Sequence, residues 1–189
     1  MTDGPIVGVL LAAGRSTRFG SDKLLVQLED GTLIGVAAFE NLAAAVDAVV
    51  AVVRPGDAAL AAALGAHGAR VTECPNAAEG MGESLAWGVR GSPTAMAWLI
   101  ALADMPWVRP AAIERVVDAL RRGAPIAAPT WRGRQGHPVG FAARHYAELI
   151  ALSGDVGARP VIERHGVLLV DAEDSGVVRD VDAPQDLVR

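Results

Sequence analysis

The segment Leu11-Ala12-Ala13-Gly14-Arg15-Ser16-Thr17-Arg18-Phe19-Gly20-Ser21-Asp22-Lys23 carries the strongest local chemical signal in the chain. Gly14 and Gly20 let a loop turn tightly and aim main-chain N–H groups at an anion, while Arg18 and Lys23 place two cations on the same loop. The chemistry of such a loop is anion binding, although a Gly-containing surface connection with solvated charges fits the local pattern equally well. Lys does not directly follow the second Gly, so the loop is not a Walker motif, and its glycines are too far apart for a dinucleotide fingerprint. Asp104 follows the apolar run Leu99-Ile100-Ala101-Leu102-Ala103, which puts a carboxylate at the end of a strand, or a turn former just before Pro106. On a strand, Asp180 and Asp182 would point to one face, two residues apart. Asp186, just after Pro184, reads as an N-terminal residue of the last helix. The segment Gly154-Asp155-Val156-Gly157-Ala158-Arg159 opens a helix, with Asp155 as its cap and N–H groups beside Arg159 able to hold an anion. None of the four histidines is paired at ligand spacing, and the single Cys74 has no recognisable base beside it.

The elements that must position these residues alternate along the chain. Ile6 to Leu11 is a continuous apolar run, as expected of a strand buried on both faces of a parallel sheet. A helix is expected over Thr32 to Ala45, a strand over Ala48 to Val53, a helix from an Asp57 cap to Leu64, and a short strand at Arg70 to Thr72. A helix over Glu83 to Val89 and a strand over Ala97 to Ala103 follow. Pro110 then starts a helix that Gly123 ends, and Ile126 to Pro129 is a strand. The final third predicts strands at Pro138 to Phe141, Val167 to Val170 and Val177 to Val181, with helices near Arg144 to Leu152 and Ala158 to His165. Repeated strand–helix alternation implies a mainly parallel α/β sheet with right-handed crossovers.

Composition bounds the possibilities further. The chain has 189 residues, a length expected of one domain spanning 1–189. Its 17 Lys and Arg against 22 Asp and Glu give a net charge of −5, which argues against a general nucleic-acid binder but leaves room for a local basic pocket. One cysteine rules out a disulfide framework and a multi-cysteine zinc site. The richest apolar stretch, Leu42 to Val53, is shorter than the roughly 20 residues a membrane span needs and carries Asp47. No basic region precedes an apolar run at the N-terminus, so a cytoplasmic protein without membrane contact is expected. The four tryptophans read as packing residues, with Trp107 and Trp131 close enough to the candidate site to stack on a ring.

Leu11-Ala12-Ala13-Gly14-x-Ser16-x-Arg18-Phe19-Gly20 with Lys23 resembles the signature of the MobA-like NTP transferases, and within them the branch containing molybdenum cofactor cytidylyltransferase (MocA-like). The resemblance continues in order through Asn76 and Gly80-Met81-Gly82-Glu83-Ser84-Leu85, Ala103-Asp104-Met105-Pro106, Gly133 to Val139, Gly154 to Arg159, and Asp180 to Asp186. Each piece is weak alone; five or six in one order are specific. The resemblance implies a Rossmann-like three-layer αβα fold of the nucleotide-diphospho-sugar transferase type. It also implies a Mg²⁺-dependent reaction in which an acceptor phosphate attacks the α-phosphate of an NTP and pyrophosphate leaves. Leu11, Ala12, Ala13, Gly14, Arg15, Ser16, Arg18 and Lys23 would then hold the nucleotide's phosphates, with Arg18, Lys23 and Asp104 as the catalytic residues. Asn76, Gly82 and Ser84 would meet the base, although Gly82-Glu83-Ser84 stands where many relatives have a serine run.

Asp104, with Asp180 or Asp182, would hold the metal, because Mg²⁺ prefers oxygen ligands and binds few carboxylates plus substrate phosphates. Gly136, His137, Asp155 and Arg159 would line the acceptor side, with His137 as pocket wall. Ala13, where the guanylyltransferase branch commonly has Gly, favours CTP and molybdopterin, and the family implies a molybdoenzyme or its accessory protein as partner. Two rivals stay open: an NAD(P)-dependent oxidoreductase of the nicotine blue oxidoreductase type, and a non-catalytic molybdenum cofactor carrier.

Overall fold

A computed structural model describes residues 4–14 and 22–187. Its sheet is built from β1 (Ile6–Leu11), β2 (Ala48–Val53), β3 (Arg70–Glu73), β4 (Ala97–Leu102), β5 (Ile126–Trp131), β6 (Arg134–Gln135), β7 (Val139–Ala142) and β8 (Leu168–Asp171). The spatial order is β3-β2-β1-β4-β7-β5-β6, with β8 beside β5. β1 runs parallel to both β2 and β4, β2 to β3, and β5 to β8, whereas β7 lies antiparallel between β4 and β5. The expected three-layer α/β architecture is therefore present as a mostly parallel, mixed sheet.

Helices α1 (Ile34–Ala43), α2 (Ala58–Ala66) and α4 (Pro110–Arg121) cover one face; α3 (Met81–Arg90), α5 (Tyr146–Ile150) and α6 (Arg159–His165) cover the other. The strand period of two explains why β1 is apolar at every position but Gly8. Ile6 and Leu10 join Leu42, Leu60, Ile113 and Leu120 on the first face. Val7, Val9 and Leu11 join Leu85, Val89, Leu149 and Val161 on the second. Successive strands β2 and β3 leave β1 on one side and β4 sits on the other, so the carboxyl ends of β1 and β4 flank the point where the strand order reverses. Open α/β sheets bind ligands at such a point. No helix among the described residues is long and apolar enough to cross a membrane.

Three local expectations are corrected and one is met. Val177 to Val181 is not a strand: Ser175–Val178 forms a 3-10 turn. Asp174 accepts from the Gly176 and Arg109 N–H groups, His137 N donates to Val177 O at 2.8 Å, and Val181 N donates to Asp104 O at 2.8 Å. Loops, not a neighbouring strand, satisfy this segment, so its apolar pattern is legible but its partners are not. The helix expected near Arg144 to Leu152 is a 3-10 turn over Ala143–His145 followed by the shorter α5. Asp155 does not cap α6, which starts four residues later behind Ala158. Asp186 stands as expected in the first turn of the last helical element, the 3-10 turn Pro184–Leu187, where its Oδ2 accepts from the Asp182 and Ala183 N–H groups at 2.9 and 2.7 Å.

The N-terminus of α3 and residues 153–155 are locked together by glycine. Gly82 N donates to Gly154 O at 2.7 Å, and a Cβ on Gly82 would lie 2.8 Å from the carbonyl carbon and oxygen of Ser153. Gly80 adopts φ +136°, and a Cβ there would run into the Gly154 main chain. The close approach requires both glycines and sets where Asp155 stands. Replacing Gly82 by Ala forces the 153–155 main chain off α3. Overpacking of this kind costs roughly 1–3 kcal/mol. Gly82→Ala should lower the denaturation midpoint accordingly, with the denaturant m-value unchanged.

Candidate active site

Two adjoining cavities open at the carboxyl ends of β1 and β4. The first, about 320 Å³, is lined by Ala13, Gly14, Ala77, Gly80, Ser84, Asp104 and Asp155, among others. The second, about 460 Å³, includes Gln135, His137, Phe141, Ala158, Arg159 and Glu163. Leu11, Met81 and Leu102 belong to both, so the two form one continuous cleft. Among the described residues, none comes within 4 Å of a Cβ built on Gly14, at the end of β1.

At the floor of the cleft, the Lys23 ammonium donates to Asp104 Oδ2 at 2.8 Å and to the Val181 carbonyl at 2.7 Å, and lies 3.8 Å from Asp182 Oδ1. Lys23 stands on a 3-10 turn (Lys23–Leu25), Asp104 just beyond β4, and Val181 on the C-terminal segment already tied to Asp104 through its main chain. One cation thus gathers three distant parts of the chain. The pair is largely shielded, with side-chain exposures of 14% and 25%.

The other oxygen of Asp104, Oδ1, is buried and has no hydrogen-bond partner among the described residues. A buried carboxylate oxygen without a donor is costly unless a cation or proton completes it. Among the described residues, Lys23 faces the carboxylates of Asp104 and Asp182, while the charges of Asp104 and Asp180 both reach His137. A buried carboxylate oxygen without a donor, with the Asp182 carboxylate close to the same lysine, offers the hard oxygen ligands a divalent cation takes, so the residues present fit such an ion.

His137 lines the second cavity, with its Nδ1 buried and unpartnered among the described residues. Burial holds its imidazole below the ordinary range; the Ile100 main chain and the charges of Asp104 and Asp180 act in the opposite direction. It is therefore a neutral wall at physiological pH. The neighbouring Gly136 is packed against the Val177 carbonyl, leaving no room for a Cβ. Arg159 lines the same cavity but is ion-paired to Glu163 at 2.7 Å. Asp155, expected on this side, instead faces the first cavity beside Gly80.

Of the residues expected at the nucleotide side, Leu11, Ala13, Gly14 and Ser84 line the first cavity. Ala12 is buried, its N–H donating to Val52 O at 2.8 Å. Asn76 is exposed at the start of the 3-10 turn Ala77–Glu79, facing a smaller depression with Cys74 and Trp87. Gly82 turns to residues 153–154 rather than to the cavity. Arg15, Ser16 and Arg18 lie outside the described residues. Burial raises the Cys74 thiol above its ordinary value, consistent with a packed strand-end residue. Arg179 covers the Trp107 ring and Arg132 the Trp131 ring, and neither tryptophan lines the cleft. Sequence reasoning missed Met81, which bridges both cavities, and the Val181 carbonyl that Lys23 grips. The positive-φ Gly80 just before Met81 marks the first; nothing in a side-chain pattern marks a carbonyl.

Comparison with known proteins supplies the family. Residues 8–168 match the MobA-like NTP transferase domain. The chain is 30% identical to the purine catabolism protein PucB of Bacillus subtilis (strain 168), over 97% of this chain and 96% of that protein. It superposes on the crystal structure of Rv0371c from Mycobacterium tuberculosis H37Rv with a TM-score of 0.83 and 30% identity, covering 98% of this chain and 96% of that one. A complex of Rv0371c with manganese matches at TM-score 0.74 and 28% identity, covering 96% of this chain and 92% of that one. The molybdopterin-guanine dinucleotide biosynthesis protein A of Archaeoglobus fulgidus shares the fold at TM-score 0.72 and 19% identity, over 96% and 94% of the two chains. With a cleft at the strand-order reversal and a family match over most of its length, this chain belongs to the MobA-like NTP transferases, a nucleotidyltransferase family.

Proposed function

We propose that the chain transfers CMP from CTP to a small phosphorylated acceptor, molybdopterin or its molybdenum cofactor, in a Mg²⁺-dependent reaction. The observation that carries this reading is the orphaned Oδ1 of Asp104 at the base of a cleft that Gly14 lines. The manganese complex of Rv0371c supports a divalent ion in this family.

An oxygen of the acceptor phosphate attacks the α-phosphorus, the bond from that phosphorus to the α–β bridging oxygen breaks, and pyrophosphate departs with the bond's electron pair. The protein's task is to position the reactants and neutralise developing charge. Lys23 holds Asp104 by Oδ2 and so leaves Oδ1 as the oxygen without a donor. Asp104 is the principal metal carboxylate. Asp180, whose charge faces His137, is its partner in this reading, while Asp182 is engaged by Lys23. Asp104 and Asp180 would hold the ion, which would supply Lewis-acid stabilisation of the charge that develops on the phosphates. Gly14, with Arg15, Ser16 and Arg18, cradles the β- and γ-phosphates. Ser84 and Ala13 meet the base and ribose in the first cavity, and Gly136, His137 and Arg159 shape the acceptor wall in the second. The apolar lining around Leu11 and Leu102 excludes water that would otherwise compete as nucleophile.

Asp104→Asn keeps the Lys23 contact sterically possible but removes the carboxylate charge. It should cut CMP transfer at saturating substrate by roughly 10²–10³-fold with an unchanged circular dichroism spectrum. Full turnover by the variant would remove the metal assignment. Arg18→Ala should weaken CTP binding, and an unchanged affinity would detach Arg18 from the phosphates. Base choice is read by a thermal-shift panel of CTP, GTP, ATP and UTP with and without Mg²⁺. A ligand that binds only the folded state raises stability by RT ln(1+[L]/Kd), so CTP with Mg²⁺ should give the largest shift. Release of pyrophosphate on adding acceptor distinguishes a transferase from a carrier, which binds without it.

A further inference from the structure

Outside the cleft, the fold brings together two histidines and a glutamate that the sequence separates by up to twenty positions. His145 ends the 3-10 turn before α5, Glu148 lies on α5, and His165 is the last residue of α6. His145 Nδ1 lies 3.3 Å from Glu148 Oε1; His165 Nε2 lies 2.8 Å from Oε1 and 3.0 Å from Oε2. One ligand atom from each residue falls within 4.8 Å of the others, and the two imidazole rings are 4.7 Å apart between centroids. Arg164 donates to Glu148 Oε2 at 2.7 Å, from the outer side of the carboxylate.

Hydrogen bonding alone leaves this cluster incomplete. The His145 side chain is only 4% exposed, and its Nδ1 contact to Glu148, at 3.3 Å, is long for a hydrogen bond. Two ligands on one tetrahedral zinc ion, with bonds of about 2.0–2.1 Å, stand about 3.3 Å apart, which is the His145–Glu148 spacing, while the 2.8 Å His165–Glu148 contact has to open to that distance when an ion enters. Two neutral imidazoles and one carboxylate are a recurrent three-ligand set for zinc, with water as the fourth ligand. His165 is 35% exposed, which gives an ion and its water a way in.

We propose that His145, Glu148 and His165 form a binding site for a divalent transition-metal ion of the zinc type, separate from the Asp104 carboxylates. Arg164 steadies the glutamate from behind, as partners of ligating carboxylates do. The ion would act on α6. That helix has seven residues and one buried side chain, Val161, so its seating depends on contacts at its ends. Its C-terminal His165 is tied to α5 through Glu148, while its N-terminal side contributes Ala158, Arg159, Ile162 and Glu163 to the second cavity. Metal at one end of α6 therefore stiffens the cavity wall at the other.

The test is a titration of the full chain with ZnCl₂ and with CoCl₂, in an Asp104→Asn background so that the cleft carboxylates do not report. One Zn²⁺ per chain should bind, Co²⁺ should show the intense visible bands of a tetrahedral site, and hydrogen exchange over residues 157–163 should slow on binding. His165→Gln, at the exposed ligand, leaves the core intact and should weaken Zn²⁺ binding at least tenfold and abolish the Co²⁺ bands and the exchange effect. His165→Cys should restore tight Zn²⁺ binding. Absence of Zn²⁺ binding in the Asp104→Asn background, or binding unaffected by His165→Gln, would overturn the proposal.

Discussion

The cleft depends on one short contact, the Lys23 ammonium against Oδ2 of Asp104 at 2.8 Å. Lys23 also takes the Val181 carbonyl, and Val181 N in turn binds the Asp104 carbonyl, so the first loop, the end of β4 and the C-terminal segment close around one point. A charge-assisted bond between largely shielded partners is worth more than a surface ion pair, because little water competes for either group. Its directional consequence exceeds its energy: holding Oδ2 dictates that Oδ1 is the oxygen left without a donor.

Everything else in the fold serves to deliver these groups to one edge. The buried β1 and the almost wholly buried β4 run side by side and end together at Leu11 and Leu102, with helices packed on both faces. Gly80 and Gly82 let residues 153–155 lie on the start of α3, which carries Asp155 into the first cavity. The turn at Ser175–Val178, pinned by Asp174 and by the His137 N–H, leads the chain back to Asp104. The acidic net charge of the chain is compatible with a polyanionic substrate once the cleft is counted locally, since the Asp104 and Asp182 carboxylates converge there on Lys23 and suit a divalent ion.

Much of this was legible in the sequence because its causes are local. A continuous six-residue apolar run announces a buried strand, Asp57 and Pro110 announce helix starts, and Asp104 after a strand announces an edge carboxylate. What escaped depends on groups far apart in the chain. Val177 to Val181 has the pattern of a strand, but its hydrogen bonds go to loops, which no pattern within the segment encodes. Asp155 looks like a helix cap, yet glycine packing 70 residues away fixes it at the other cavity. Lys23 reads as a phosphate ligand on its own loop, while the fold engages it with Asp104 and Val181. The histidines have no ligand spacing along the chain, yet His145 and His165 meet across Glu148 because α5 and α6 pack on the same face of the sheet.

The central claim is that Asp104, held through one oxygen by Lys23, offers the other to a divalent ion that accompanies the nucleotide. Electron paramagnetic resonance of Mn²⁺ titrated into the protein with CTP tests it without turnover. Wild type should sequester Mn²⁺ with CTP in a protein-bound complex, and Asp104→Asn should leave the signal of Mn²⁺–CTP free in solution. An undiminished protein-bound complex in a folded Asp104→Asn variant would contradict the account.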